Sequence, residues 1–369
     1  MKRLFLIVAA LLCAVLALAQ ASPVVDSLSA DGPYIIYTRD GVRVVSADCK
    51  GRIRDTLMSR APETFMVADH AGRYPFQVKL RPLCYQKWEQ RSEASRTFVM
   101  SDPHGRLDCV ISLLQGNEVI DSTLHWSYGK DRLVMIGDIF DRGDDAVQIF
   151  WFFYKLQQEA AEAGGSVIMM LGNHEPMELA GDMRYATRKY KRLERKLGVE
   201  YRSLFGSDSE LGQWISTWNV IGIVGRDLFV HAGLGGEFYR RDIPIWEVNA
   251  SMRSALFKLS KERRAVSDEM QFLYGSDGPI WYRGLVMDEP KRNPIQGDTL
   301  NLLLKRYEVD HIIVGHTMMD DVRTFHDGRV ICVNVNNPEN MASGAGRALL
   351  ITPGGYYIAG DRGVLRKIE

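Results

Sequence analysis

Apolar positions fall into two textures along the chain. From Asp31 to about Arg91 they come in short alternating runs, as in Tyr34-Ile35-Ile36-Tyr37 and Val42-Arg43-Val44-Val45. The intervening Arg39-Asp40-Gly41 contains Asp-Gly, a strong hairpin signal between β-rich segments. Further short strands are expected near Phe65–Val67 and Gln77–Leu80, giving a small β-rich module or a decoration on the main domain. From Arg96 onward, apolar strand-like runs alternate with stretches of helical period, the signature of layered α/β architecture. One helix is predicted through Ile149, Phe152, Phe153 and Leu156, capped by Asp144 or Asp145 and ended by Gly164-Gly165. Met183, Ala186, Tyr190, Leu193 and Leu197 predict a second over 182–197, with Gly198 as its stop. A third is expected over Ser251–Arg263 and a fourth from about Thr299 to Tyr307. Strands return at Val330–Val335, Ala348–Thr352 and Tyr356–Ala359.

The extreme N-terminus has a different pattern. Lys2 and Arg3 precede an apolar run from Leu4 to Ala19, which ends in Ala19-Gln20-Ala21-Ser22. A basic start, a short apolar stretch and an Ala-x-Ala ending predict a secretory signal peptide over 1–21, cleaved after Ala19 or Ala21. The run is shorter than the roughly 20 residues a spanning helix needs. An exported protein, periplasmic or extracellular, with no membrane attachment after signal removal is therefore expected. The domain reading is 1–21 signal peptide, 22–95 β-rich extension and 96–369 main α/β domain.

Composition narrows the classes. The 369 residues carry 46 basic and 46 acidic side chains, and 46% are hydrophobic, as in a soluble globular protein. Zero net charge argues against nucleic-acid binding by bulk electrostatics. No CxxC pair exists, so a thiolate zinc site is not expected. Cys49 and Cys84 could pair in an oxidising compartment, while Cys109 and Cys332 read as buried side chains. Oligomeric state has no signature in the pattern.

The decisive feature is how the apolar runs end. Phe98–Met100 leads into Ser101-Asp102-Pro103-His104-Gly105, and Leu133–Ile136 into Gly137-Asp138-Ile139-Phe140-Asp141-Arg142-Gly143. Val167–Leu171 leads into Gly172-Asn173-His174-Glu175, Leu228–Val230 into His231-Ala232-Gly233, and Ile312–Val314 into Gly315-His316-Thr317. Five strands thus end in Asp, Asn or His near glycine. In α/β sheets ligands bind where the carboxyl ends of strands converge, so one polar cluster is predicted rather than five separate sites. Imidazole and oxygen donors without thiolate suit zinc, iron or manganese. Two cations about 3.5–4 Å apart form the usual clamp for displacement at phosphorus, and such a pair needs a shared anion, for which Asp138 is the natural bridge.

This set, DxHG, GDxxDRG, GNHE, HxG and GH, resembles the calcineurin-like metallophosphoesterase superfamily of the phosphoprotein phosphatase type. Gly275-Ser276-Asp277-Gly278-Pro279-Ile280-Trp281-Tyr282-Arg283-Gly284 and Gly315-His316-Thr317 further resemble the Shewanella-like phosphatases. The resemblance covers about Thr97–Val335 and implies an α/β (α+β) fold, a four-layer β-sandwich flanked by helices with two divalent metals (Mn2+, Fe2+/Fe3+ or Zn2+) at the strand ends. It implies Asp102, His104 and Asp138 as ligands of the first metal and Asp138, Asn173, His231 and His316 of the second. His174 would be the general acid oriented by Asp141, with Arg142, Arg283 and Asn173 binding the phosphate. Ser101, Ala232 and Thr317 depart from the family pattern without removing a ligand; the first two are expected to tighten the pocket.

The expected reaction is phosphomonoester hydrolysis by direct attack of a metal-bridging hydroxide, on a phosphorylated protein (Ser/Thr or Tyr) or a small phosphoester. A nucleotide or dinucleoside polyphosphate hydrolase is the alternative, and a non-catalytic phosphate-binding surface module the second. His70, His125, His311 and His326 are read as structural, and the run Phe150–Tyr154 as core. The basic side chains of the 182–197 helix read as a solvated face before a phosphosubstrate-docking surface.

Overall fold

The computed structural model describes residues 28–92 and 94–368; the expected signal segment lies outside them. Two six-stranded sheets dominate. In the first, Thr97–Met100, Arg132–Met135 and Ser166–Met169 run parallel, joined by crossover helices Leu107–Gly116 and Ala146–Glu162. The antiparallel strands Arg347–Thr352, Gly355–Gly360 and Leu365–Lys367 extend it on the other side. In the second, Asp227–Val230, His311–Val314 and Val330–Cys332 are parallel, flanked by Arg323–Phe325 and Ile221–Val224, with Glu89–Gln90 at the edge.

Successive strand side chains point to opposite sheet faces, and here both faces are buried. Val99, Val134, Ile168, Phe229, Ile313 and Ile331 form the core between the sheets. Their neighbours Phe98, Met100, Leu133, Met135, Leu228 and Ile312 join the helix-covered core instead. That alternation explains the unbroken apolar runs and makes the four-layer α/β sandwich. Among the described residues no helix is long and apolar enough to cross a membrane.

The N-terminal strands Asp31–Thr38, Gly41–Ala47 and Ile53–Met58 form one antiparallel sheet, and Thr64–Val67 pairs with Phe76–Lys79. Thr38 pairs with Gly41, so the first turn is Arg39-Asp40 and Gly41 already belongs to the strand. This region packs on the helix Ala146–Glu162: Phe65 stacks edge-on against Trp151, Phe76 against Phe152, and the Trp151 indole N–H donates to Pro33 O at 2.9 Å. The run Phe150–Tyr154 is buried core.

Three helix expectations need correction. Asp145 stands at the N-cap of Ala146–Glu162, but its side chain does not cap; its carboxylate is taken by the His70 N–H and ring at 2.6 and 2.9 Å. The helix predicted over 182–197 begins only at Arg188, because the Tyr185 carbonyl accepts the Arg142 N–H and holds the preceding segment at the sheet end. The helix expected over Ser251–Arg263 is two, Ile245–Ser254 and Ser260–Arg264. The buried Arg263 guanidinium docks on the Ala255 and Leu256 carbonyls between them, so the break is itself hydrogen-bonded. Cys49 and Cys84 are exposed free thiols, while Cys109 and Cys332 are buried.

Candidate metal centre

The carboxyl ends of the two parallel strand sets meet at one place. Asp138 is at its centre: its Oδ2 lies 3.1 Å from His231 Nε2, 3.8 Å from His174 Nε2 and 3.9 Å from His104 Nε2. Asp102 Oδ1 is 3.9 Å from His104 Nε2, and Asn173 Oδ1 is 3.1 Å from His231 Nε2. The ligating atoms of Asp138, His231 and His316 lie within 4.8 Å of one another, as do those of His104, Asp138 and His174. Asp102, His104, Asp138, Asp141, Asn173, His174, His231 and His316, spread over more than two hundred positions, therefore form one cluster.

Local backbone sets these side chains. Asp102, His104, Asp138, Asp141, Arg142 and His316 all have positive φ, between 42° and 73°. Such left-handed conformations are uncommon for residues other than glycine and gather at functional sites. Glycine is required where two loops touch: a Cβ on Gly315 would lie 1.9 Å from Ser101 Oγ, and one on Gly172 2.1 Å from Asp138 Oδ1. Glu175 anchors the loops, accepting the N–H groups of Asp138, Ile139 and Gly172 at 3.0, 2.8 and 2.7 Å.

Donor chemistry fits a pair of cations. His231 Nδ1 is engaged by the Ile136 carbonyl at 2.6 Å and His104 Nδ1 by the Phe140 carbonyl at 2.9 Å, which fixes the tautomer and turns each Nε2 inward. His316 Nε2 is buried with no hydrogen-bond partner among the described residues. Burial drops His104 to about 4 and holds His316 well below the imidazole range, so both rings are neutral donors at physiological pH. Burial opposes charge on His231 too, but the Asp138 and Asp102 carboxylates carry it up to about 9. Burial pushes Asp102 up to about 7; in Asp138 the same burial is overcome by His231 and His174, which hold its carboxyl well below the usual range. Asp102, His104 and Asp138 could hold one cation, and Asp138, Asn173, His231 and His316 a second.

The cluster opens into a cleft of about 390 Å³ lined also by Arg106, Arg142, Tyr185, Trp281 and Arg283. Arg142 is exposed, whereas Arg283 is half-buried and donates to Thr317 Oγ1 at 2.9 Å. Thr317 therefore has a visible task, and Ser101 Oγ likewise donates to the Asp102 carboxylate. His174 Nδ1 is hydrogen-bonded to Asp141 Oδ2. Burial opposes its protonation, but Asp138 and Asp141 raise it above the ordinary imidazole value.

Pattern alone does not single out Tyr185, Trp281 or the anchoring role of Glu175. Tyr185 lies 5.4 Å from the His174 ring and Trp281 5.7 Å from the His316 ring. Their only sequence signal is position, just after GNHE and inside GPIWYRG. The other histidines are held elsewhere: His125 by Glu159, His311 by Asp227 and Tyr356, His326 by the Leu285 carbonyl.

The chain is similar to known proteins. The chain is 30% identical over 246 residues to an uncharacterized protein of Schizosaccharomyces pombe, covering 64% of this chain and 71% of that one. It is 25% identical over 241 residues to Shewanella-like protein phosphatase 1 of Plasmodium berghei, covering 65% and 66%. The crystal structure of a cold-active protein-tyrosine phosphatase from a psychrophilic Shewanella species superposes with a TM-score of 0.82 at 30% identity, over 92% of this chain and 99% of that one. The model of the calcineurin-like phosphoesterase family matches residues 95–320, a span that takes in every strand-end donor described above, and the chain belongs to that family.

Proposed function

We propose that this metal-dependent phosphatase is exported and removes phosphate from phosphoproteins, with phosphotyrosine as its preferred ester. The carrying observation is the position of Asp138, one carboxylate oxygen within 3.9 Å of three imidazole nitrogens, where a bridging anion between two cations would stand. When bound, two cations of the manganese, iron or zinc type supply Lewis acidity and an activated water for attack at phosphorus. Arg142 and Arg283 bind the equatorial phosphate oxygens, a task suited to a planar guanidinium fork. His174, held by Asp141, gives a proton to the departing oxygen.

Tyr185 and Trp281 favour an aryl ester: one stands beside the His104–His174 pair and the other beside the His231–His316 pair, offering aromatic surface to a phenyl ring. A protein-sized substrate is supported by a second groove of about 540 Å³, which shares Arg106 and Arg142 with the cleft and runs on past Arg188.

Elemental analysis of the purified protein, beside phosphate release from phosphotyrosyl and phosphoseryl peptides and from nucleotides, tests this reading. About two cations per chain and preference for the phosphotyrosyl peptide are expected; faster release from nucleotides would transfer the site to phosphoanhydrides. Export is checked by N-terminal sequencing of the mature chain, expected to start at Gln20 or Ser22.

A further inference from the structure

One buried acid is unused by this chemistry. Glu178 lies on the helix His174–Leu179, every residue of which is buried, and is itself 2% exposed. Neither of its carboxylate oxygens has a hydrogen-bond partner among the described residues, and the same holds for Asp141 Oδ1. The other oxygen of Asp141 is the one that holds His174 Nδ1. A buried acceptor left without a donor costs on the order of 1–3 kcal/mol, and here three such atoms belong to two interacting carboxyl groups. Two carboxylates cannot donate to each other. One proton shared between them pairs Asp141 Oδ1 with one Glu178 oxygen and removes the like-charge repulsion.

We propose that Glu178 is a positioning residue, a protonated carboxylic acid that donates to Asp141 Oδ1 and so fixes the carboxylate that orients His174. This rests on the reading of His174 as the proton donor. Burial and the neighbouring Asp141 carboxylate push Glu178 up to about 10. The other titratable groups facing it are Asp182, which raises it further, Lys191, which opposes, and the buried Tyr201 phenol. Tyr201 O–H is likewise without a partner among the described residues and packs from the turn 201–205. With Asp141 pinned on its far side, its remaining oxygen keeps the proton of His174 on Nδ1 and leaves Nε2 to face the cleft. A leucine at 178 would fill the same space, so the buried acid needs a reason that packing does not provide.

The test uses Glu178→Gln, whose amide can still donate to Asp141, and Glu178→Leu, which cannot. In Glu178→Leu, kcat is expected to fall about 10–100-fold for a poor leaving group such as phosphotyrosine, the range seen when a supporting hydrogen-bond partner is lost. An activated nitroaryl phosphate, which departs without a proton, should lose less than about threefold. KM and bound metal should stay unchanged, and Glu178→Gln should stay within about threefold of wild type on both substrates. Equal loss on both substrates, or a Gln variant as impaired as the Leu variant, overturns the proposal. Infrared spectroscopy reads the proton without turnover. A protonated-carboxyl stretching band present in wild type and missing from Glu178→Gln is expected even if the phosphatase reading fails, and its absence from wild type would sink the proposal alone.

Discussion

His231 touches Asp138 through one nitrogen and the sheet through the other: Nε2 is 3.1 Å from the carboxylate while Nδ1 is tied to the Ile136 carbonyl two residues before Asp138. One strand end therefore presents the central anion and orients the imidazole that meets it. Removing the anion should undo the metal site, whereas removing a proton donor at its edge should not. Asp138→Asn is expected to lose bound metal and activity together. His174→Asn should keep its metal and lose about 10²–10⁴-fold in kcat, the usual share of general acid catalysis. Metal content and kcat measured on the same preparations decide this; full activity in either variant would end the assignment.

Contact between loops makes a different demand. At Gly172 a side-chain Cβ would lie 2.1 Å from Asp138 Oδ1 and 2.6 Å from Asp138 N. Neither neighbour can retreat freely, since Asp138 N–H is held by Glu175 and Asp138 Oδ1 accepts the His174 N–H at 2.9 Å. Gly172→Ala should destabilise the fold by at least about 1–3 kcal/mol, the cost of overpacking a dense interior. Metal binding should weaken with it. Denaturant titration and metal affinity give the check, and a wild-type affinity would show that the loops can separate at little cost.

Much of this site was legible in the chain because the chemistry sits at strand ends. Runs such as Leu133–Ile136 and Val167–Leu171 announce strands buried on both faces, and the candidate ligands come directly after them. Tyr185, Trp281 and Glu178 were not legible, because their roles depend on partners distant in sequence or on the groups that lie opposite them. Tyr185 is brought to the cleft by a backbone bond to Arg142, which also delays the helix to Arg188. The capping expectation at Asp145 failed for the same kind of reason, since His70 competes for the carboxylate from 75 residues away. Lys189, one of the basic residues expected on a solvated helix face, is buried and paired with Asp31 at 2.9 Å.

Proton linkage offers a prediction independent of turnover. Glu178 titrates at about 10 in the fold against 4.5 for an unhindered glutamate. Between those values the folded state binds the extra proton, so this group's contribution to stability falls as pH rises. It is fully present below about pH 4.5 and is progressively lost toward about 10. Glutamine has no proton to release. The stability of Glu178→Gln relative to wild type should therefore grow between pH 5 and 8, by up to about 4 kcal/mol, the limit set by about 1.4 kcal/mol per pH unit for one proton. Paired urea denaturations across that range measure it, and a difference that stays flat would mean Glu178 is already ionised in the native protein.

Substrate size separates the two grooves. On the proposed reading a small aryl phosphate would occupy only the cleft lined by Arg142 and Arg283, whereas a phosphopeptide would continue along the surface. The second groove leaves the cleft at Arg142 and passes Arg188, and the same helix exposes Arg195 and Lys196. Among the described residues no carboxylate forms an ion pair with any of these three, so their charge is available to acidic side chains flanking the ester. Exposed charges act mainly on encounter and on weak binding rather than on the chemical step. Replacing Arg188, Arg195 and Lys196 together by glutamine should therefore raise KM about 3–10-fold for an acidic phosphopeptide while leaving its kcat unchanged. KM for the small aryl phosphate should not move, and the peptide effect should shrink as salt is added. If KM rises equally for both substrates, the helix supports the cleft itself; if it rises for neither, its charge serves only to face water.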